Sequence, residues 1–526
     1  MKNKMLCAFF AMSAPLSTAA LLALCFPAPD LGWLAWISLV PLLVGISRKK
    51  PHYGFFLSFI CGLVFFPGIG NWLFQVRGYR LLHHAIWGTY LAIYFGLFGL
   101  AFSFISRRWG VVPSLVASPF LWVSLEYIRS NMGFMAFPWG LLSHSQHQCP
   151  RIIQVASLAG NYGVSFLVAW VNAALAAVIL IYFRSSPTKY SARHAAILVV
   201  IGGALITSSF WYGHWIVSKQ IVGNEIKVSV VQGNIGQEKK WESKYANSIM
   251  QTYADLTQEA SRDRPDLIVW PEAATPRAIT MDVRLYRQVR DIAAKAGTCL
   301  LLGSTHQDKI RIKDQVRFKY ANSAFLISHD RKDGDKKYDK IRLLPFGEYL
   351  PMKGVIPWSY VRIPDPGSYT SGQEFTVFEC SHHRFGVTIC WETIFPDLVR
   401  GFVNRGAQFL VNITNEAWFG KSAAPYQFLS MNVFRAVENR VYVVRCANTG
   451  ISCFIDPCGR VVDRVKDQAG QDIFVQGILT KTIQAIDSKT IYTQFGDWFA
   501  WLCILASAVA VILTCLNRST RHHSTL

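Results

Sequence analysis

Three apolar, β-rich runs in the second half of the chain each hand over to a side chain that can do acid–base or nucleophilic chemistry. Leu267-Ile-Val-Trp-Pro271 ends in a proline, which cannot continue a central ladder, and presents Glu272 just beyond it. The segment Tyr338–Pro351 carries Lys340 and Glu348. Phe385-Gly-Val-Thr-Ile389 delivers Cys390, with Trp391 and Glu392 directly after it and a helix opening near Pro396. A carboxylate, an ammonium and a thiol on separate segments are the parts of an acyl-transfer site. The carboxylate takes the thiol proton, the thiolate attacks a carbonyl, and the ammonium holds the oxyanion. A thiol at a strand-to-helix junction also meets unpaired backbone N–H groups, which are expected to lower its pKa. Taken singly, a cysteine is more often a small buried apolar side chain and a glutamate or lysine a surface charge. The combination carries the reading.

These residues need a scaffold that gathers strand ends. Between about residues 223 and 488 the pattern predicts strands Lys227–Gln232, Leu267–Trp270, Cys299–Gly303, Ala321–Ile327, Phe385–Cys390, Phe409–Ile413, Val441–Cys446 and Ser452–Ile455. Helices are expected at Ser243–Ser261, Val283–Lys295, Phe395–Arg405 and Gln427–Asn439, with turns at Gly450 and Asp456–Gly459. Such alternation argues for a layered α/β domain. The charged run Asp330–Lys337 reads as a solvated loop, and Arg435, Glu438 and Arg440 as a salt-linked helix face.

The rest of the chain has another character. Hydrophobic residues make up 52% of the 526 and charged residues 16%, which indicates a membrane protein. Eight apolar runs approach the ~20 residues a bilayer requires: Met5–Phe26, Leu31–Ile46, Phe55–Phe74, Ala85–Ile105, Val111–Ile128, Tyr162–Phe183, Ala195–Trp215 and Phe495–Leu516. The second is short. The first, preceded by Lys2 and Lys4, reads as a retained anchor, because prolines crowd the only cleavage-like region.

With a cytoplasmic N-terminus, the inside segments carry 12 Lys/Arg and the short outside loops four, Arg77, Arg80, Arg129 and Arg151. That bias orients both termini inward and the α/β block outward. The net charge of +21 divides as +8 for residues 216–494 (37 Lys/Arg, 29 Asp/Glu) and +13 for the remainder. The excess therefore lies at the edges of apolar segments. No basic stripe with interleaved aromatics marks a nucleic-acid partner. The 12 cysteines include no Cys-x-x-Cys pair and no zinc-spaced cluster, so neither metal nor cofactor is expected. Glu126 and Arg129, three residues apart near the outer end of the fifth span, read as a helical ion pair. The following loop, with Phe134, Phe137 and Trp139, is either an interfacial aromatic belt or a surface that guides lipid.

Trp270-Pro-Glu272, Lys340 within Lys-x-x-Leu-x-Pro-Phe-Gly-Glu348, Ile389-Cys-Trp-Glu392 and Asn412-Ile-Thr-Asn-Glu-Ala-Trp418 resemble the nitrilase superfamily. Val231-Gln-Gly-Asn-Ile235 with Trp241, Phe137-Pro-Trp139, Asn415–Gly420, Pro425-Tyr-Gln427 and Arg445–Gly450, flanked by spans, make nearly the whole chain similar to its membrane-embedded branch, the apolipoprotein N-acyltransferases. Trp391 stands where tyrosine is expected and Glu416 where aspartate is common.

The resemblance implies an αββα sandwich joined to an eight-helix membrane bundle. Residues 1–216 would hold seven spans, 217–494 a periplasmic catalytic domain and 495–526 the eighth span and a cytoplasmic tail, in a bacterial inner membrane. It implies a Glu272–Lys340–Cys390 triad working through a thioester. Lys340 and the Trp391 N–H would hold the oxyanion, Glu348 would orient Lys340 or Glu272, and Glu392 would line the site. The donor would be a phospholipid, typically phosphatidylethanolamine, and the acceptor the α-amine of a diacylglyceryl-cysteine at an apolipoprotein N-terminus. A monomer is expected.

Trp241 and Trp418 are candidate walls of the substrate site, with core packing as the alternative. Trp358 belongs to an apolar segment, Val355–Tyr369, that reads as a mobile arm on the bilayer or as a loop packed on the domain. Two other functions compete: a membrane-tethered nitrilase-type amidase, which would have little need of eight spans, and a silent scaffold, against which the intact triad argues.

Overall fold

A computed structural model describes residues 2–182, 192–312, 315–328, 335–355, 358 and 367–517. The chain forms two compact units, one of residues 1–74, 80–218 and 495–526, the other of residues 75–79 and 219–494. The expected solvated loop at Asp330–Lys337 and arm at Val355–Tyr369 fall mostly outside the described residues.

Among the described residues of the first unit, six helices are long and apolar enough to cross a membrane: Pro51–Ile69, Leu81–Trp109, Val111–Ser130, Ala156–Ile181, Arg193–Val217 and Trp498–Leu516. Two shorter apolar helices, Ser13–Leu24 and Gly32–Ile46, stand where the first two of the eight expected spans lie. Small residues let the helices approach. A Cβ on Gly54 would lie 2.4 Å from the Gly99 carbonyl, and one on Gly62 2.8 Å from Ala92 Cα.

Glu126 and Arg129 are both buried, yet they form no ion pair within 4 Å, which corrects the helical pair expected from their spacing. Glu126 instead accepts from Trp122 Nε1 (3.0 Å) and the Leu142 N–H (2.7 Å). Arg129 donates to the carbonyls of Phe137 and Trp139, both at 2.7 Å. Loop backbone in an apolar interior needs partners, and these two side chains supply them.

The second unit is built on strands β1 (Asn224–Gln232), β2 (Leu267–Val269), β3 (Cys299–Ile312), β4 (Gln315–Ile327), β5 (Lys336–Asp339), β6 (Val377–Cys380), β7 (His383–Ile389), β8 (Phe409–Thr414), β9 (Val443–Ala447), β10 (Cys453–Ile455), β11 (Val461–Arg464) and β12 (Gly477–Ala485). They form two six-stranded sheets, ordered β12-β1-β2-β3-β4-β5 and β11-β10-β9-β8-β7-β6. In each, three parallel strands (β1, β2, β3 and β7, β8, β9) are continued by antiparallel ones. The sheets face each other. The Cys446 thiol of β9 reaches the carbonyls of Val231 (3.4 Å) and Val269 (3.2 Å) in β1 and β2.

Helices Ala246–Ser261 and Val283–Ala296 cover the first sheet, burying Ile249, Met250, Tyr253, Leu285 and Val289 against Ile268, Trp270 and Leu300. Each such side chain contributes about 1.5–3 kcal/mol on burial. Asp282 caps the second of these helices by accepting from the Arg284 and Leu285 N–H groups, and Gly297 ends it in a left-handed conformation. Helices Pro396–Asn404 and Ala424–Asn439 pack on the other sheet. The outcome is a helix–sheet–sheet–helix sandwich, as expected. All four helices and eight strands anticipated from the pattern are present; β5, β6, β11 and β12 were not anticipated.

Candidate active site

Glu272 follows β2, Lys340 follows β5 and Cys390 follows β7. The first sheet thus provides the carboxylate and the cation, and the second the thiol. Gly303 in β3 permits the turn at Glu272. A Cβ there would lie 2.6 Å from Glu272 Cα, and Gly303 instead exchanges backbone hydrogen bonds with Pro271 and Ala274. Trp270 anchors the strand end, stacked on Tyr253 and bonded to Thr257 (2.9 Å).

The three side chains are brought together in the interior, with Glu272 7%, Lys340 1% and Cys390 9% exposed. Lys340 Nζ donates to Glu348 Oε1 (2.9 Å) and stands 3.7 Å from Glu272 Oε1. Burial alone draws the Lys340 pKa down, but the charges of Glu348 and Glu272, with Cys390 and Glu392, outweigh it, and the group is held as an ammonium. Glu272 accepts from Asn322 Nδ2 (2.7 Å) and the Asn415 N–H (2.8 Å). Asn322 also donates to Glu348 Oε1 (2.8 Å), bridging two like charges. Asn322 was not singled out in the sequence, where a polar residue inside a strand looks like a solvent-facing position.

Cys390 has a φ of 54°, a left-handed value unusual outside glycine, where the strand breaks into the turn Cys390–Ile394. Burial pushes its thiol well above the ordinary range and Glu272 adds to this, while Lys340 and Thr414 oppose it. This corrects the expectation of a lowered pKa: desolvation of the sulfur outweighs the local N–H groups. Burial thus favours the protonated thiol over the thiolate.

Glu392 is fully buried, like the triad residues beside it. Its carboxylate accepts from Tyr338 Oη (2.9 Å) and the N–H groups of Ile341 (2.7 Å), Arg342 (2.9 Å) and Ile389 (2.8 Å). It therefore ties the lysine segment to the cysteine strand. Burial pushes its pKa up to about 7, against Lys340 and these donors. Glu348 accepts from the Leu344 N–H (2.7 Å) besides its ammonium. Trp391 is buried edge-on to Phe395 and donates to Arg342 O (2.7 Å).

Trp241 and Trp418 are 50% and 46% exposed, which removes core packing as their role. Trp241 follows the buried Lys240, whose Nζ donates to the backbone carbonyl of Glu272 (3.1 Å). Trp358 donates to Pro351 O (2.6 Å) and meets Phe346 edge-on. Trp139 is the exception among the candidate substrate residues. It lies in the interior of the first unit against Trp72 and Phe137, because Arg129 holds its carbonyl there.

Two family models match the chain: carbon-nitrogen hydrolase over residues 227–488, and apolipoprotein N-acyltransferase N-terminal domain over residues 18–174. The apolipoprotein N-acyltransferase of Geobacter metallireducens is 36% identical over 96% of this chain and 95% of its own length. That of Pasteurella multocida is 29% identical over 90% and 89%. A solved structure of Saccharomyces cerevisiae Nit3, of the nitrilase superfamily, shares 19% identity over 51% of this chain and 92% of its own, with a TM-score of 0.37. On the strength of near full-length identity to a curated relative, with both halves matched by their own models, the chain belongs to the apolipoprotein N-acyltransferase family of multi-pass membrane acyltransferases.

Proposed function

We propose that this acyltransferase works by a two-step exchange through a Cys390 thioester. Glu272 takes the thiol proton as sulfur attacks an ester carbonyl of a phospholipid, most suitably phosphatidylethanolamine. Lys340 and the Trp391 N–H hold the oxyanion. The lysophospholipid leaves with the proton that Glu272 returns. The α-amine of a diacylglyceryl-cysteine at an apolipoprotein N-terminus then attacks the thioester and gives its proton through Glu272 to the departing sulfur. The convergence of carboxylate, ammonium and thiol in one buried cluster carries this reading.

Glu348 and Asn322 orient the charged pair, and Glu392 braces the two segments. Trp241, Trp418 and Trp358 contact lipid or acceptor. The domain occupies residues 217–494 on the periplasmic face of a bacterial inner membrane, between seven spans in 1–216 and an eighth in 495–526, and the protein acts as a monomer. Anchoring the domain beside substrates that are themselves in the membrane raises their effective concentration.

The test is intact-mass analysis of purified protein incubated with phosphatidylethanolamine carrying a labelled sn-1 chain. Wild type should gain one acyl mass and lose it on adding a diacylglyceryl peptide, while Cys390→Ala should gain none. Release of free fatty acid without an acyl-protein would favour the amidase-like hydrolytic alternative, and absence of any adduct would sink the thioester.

A further inference from the structure

A second buried ion pair lies among residues given no role above. Arg445 in β9 and Glu416 just past β8 are both 0% exposed, and Arg445 Nη2 contacts Glu416 Oε1. The same guanidinium donates through Nη1 to Asn412 Oδ1 (2.6 Å) and through Nε to the Ile451 carbonyl (3.1 Å). Asn412 in turn donates through Nδ2 to the carbonyl oxygen of Cys390 (3.2 Å) and to the carbonyl and hydroxyl of Thr388 (3.2 and 3.1 Å). Glu416 directly follows Asn415, whose N–H donates to Glu272 Oε2 (2.8 Å) and whose side chain is held by Asn448 (3.0 Å) and Gln237 (3.1 Å). The pair fills its space. A Cβ on Gly450 would fall 1.7 Å from Glu416 Oε2.

One guanidinium therefore reaches the nucleophile and the base by two short paths. Through Asn412 it governs the backbone at the left-handed Cys390. Through Glu416 it governs the backbone amide that holds Glu272. A fully desolvated ion pair contributes little net stability beyond an apolar pair of the same volume, so a geometric role is the better account of it. Lysine could not replace it, because a compact ammonium lacks the planar fork that meets three acceptors in fixed directions.

We propose that Arg445 is a positioning residue for acyl transfer, setting the separation of Cys390 and Glu272 by gripping Asn412 and Glu416 together. The proposal rests on the reading of Cys390 as nucleophile and Glu272 as base.

The test uses full-length wild type, R445K and N412A in detergent micelles with labelled phosphatidylethanolamine. Single-turnover acylation, lipid half-saturation, thermal melting and the pH profile of Cys390 alkylation by iodoacetamide, read by peptide mass, are compared. R445K should acylate about 100-fold more slowly with half-saturation unchanged within about twofold, because a misplacement near 1 Å costs about that much in rate but little in binding. N412A, which leaves the Arg445–Glu416 pair intact, should fold with a lowered melting temperature, because Arg445 Nη1 and the Cys390 carbonyl lose a partner, and should lose about tenfold in rate with half-saturation unchanged.

An R445K protein that melts with wild type and acylates within threefold of it overturns the proposal. Should R445K fail to fold, N412A decides: a rate within threefold of wild type overturns the proposal, and a larger loss supports it. Should wild type form no thioester, the functional reading fails by itself. The alkylation profile of N412A then decides, a shift supporting the clamp and coincidence with wild type ending it.

Discussion

The two sheets of the catalytic unit have the same strand order but treat equivalent carboxylates differently. The middle parallel strand of each is followed by a buried glutamate, Glu272 after β2 and Glu416 after β8. Glu416 is locked directly onto Arg445. Glu272 is held by two neutral donors, Asn322 and the Asn415 N–H, while its ammonium stands off at 3.7 Å and bonds Glu348 instead. Burial raises the Glu416 carboxyl above the ordinary carboxylate range, and the guanidinium opposes that shift. The same position is fastened to a guanidinium in one sheet and set among neutral donors beside a cation in the other.

Breaking each glutamate separately tests that contrast. Glu272→Gln should lower thioester formation about 10³-fold, within the range for loss of a general base. It should cost only about 1–2 kcal/mol in denaturation, since one amide N–H is turned toward a donor. Glu416→Gln should reverse the balance, costing about 3–5 kcal/mol by leaving the Arg445 charge buried and unmatched. Equal stability losses in the two variants would break the comparison.

The brace Glu392 gives a pH signature. Its folded pKa of about 7 exceeds the ordinary carboxylate value, so between those two pH values the folded state binds more protons than the unfolded one. Stability should therefore fall as pH rises across that interval and level off above about 7. The drop should amount to about 3 kcal/mol at most, and denaturation of Glu392→Gln should lack this slope. The smallest effects belong to the exposed rings. Trp241→Ala or Trp418→Ala should raise lipid half-saturation several-fold with melting unchanged, as for contacts that bind substrate without bearing on chemistry.

The proposed triad was legible as a candidate because each of its residues ends an apolar run, and periodicity breaks where a strand stops. The four strands that escaped notice lie at or beside sheet edges. β5 reads Lys-Lys-Tyr-Asp, and β12 leaves most of its side chains half-buried, so neither needs the apolar pattern of a central strand. The spacing of Glu126 and Arg129 suggested that they neutralise one another. Sequence could not reveal that a loop folded into apolar surroundings would claim both for its backbone. The burial of Trp139 was hidden for the same reason: its carbonyl is one of the groups claimed. Asn322 and Asn412 were opaque because their partners arrive from distant segments.

The elevated pKa of Cys390 has a consequence for the enzyme's chemical durability. Peroxides, disulfides and soft metal ions react with thiolates, and a buried sulfur that keeps its proton offers them almost none. In the proposed mechanism Glu272 draws the proton away as an acyl carbonyl arrives to take the electron pair. On that reading the same desolvation that calls for a base also favours the protonated sulfur between turnovers, the form that oxidants attack slowly.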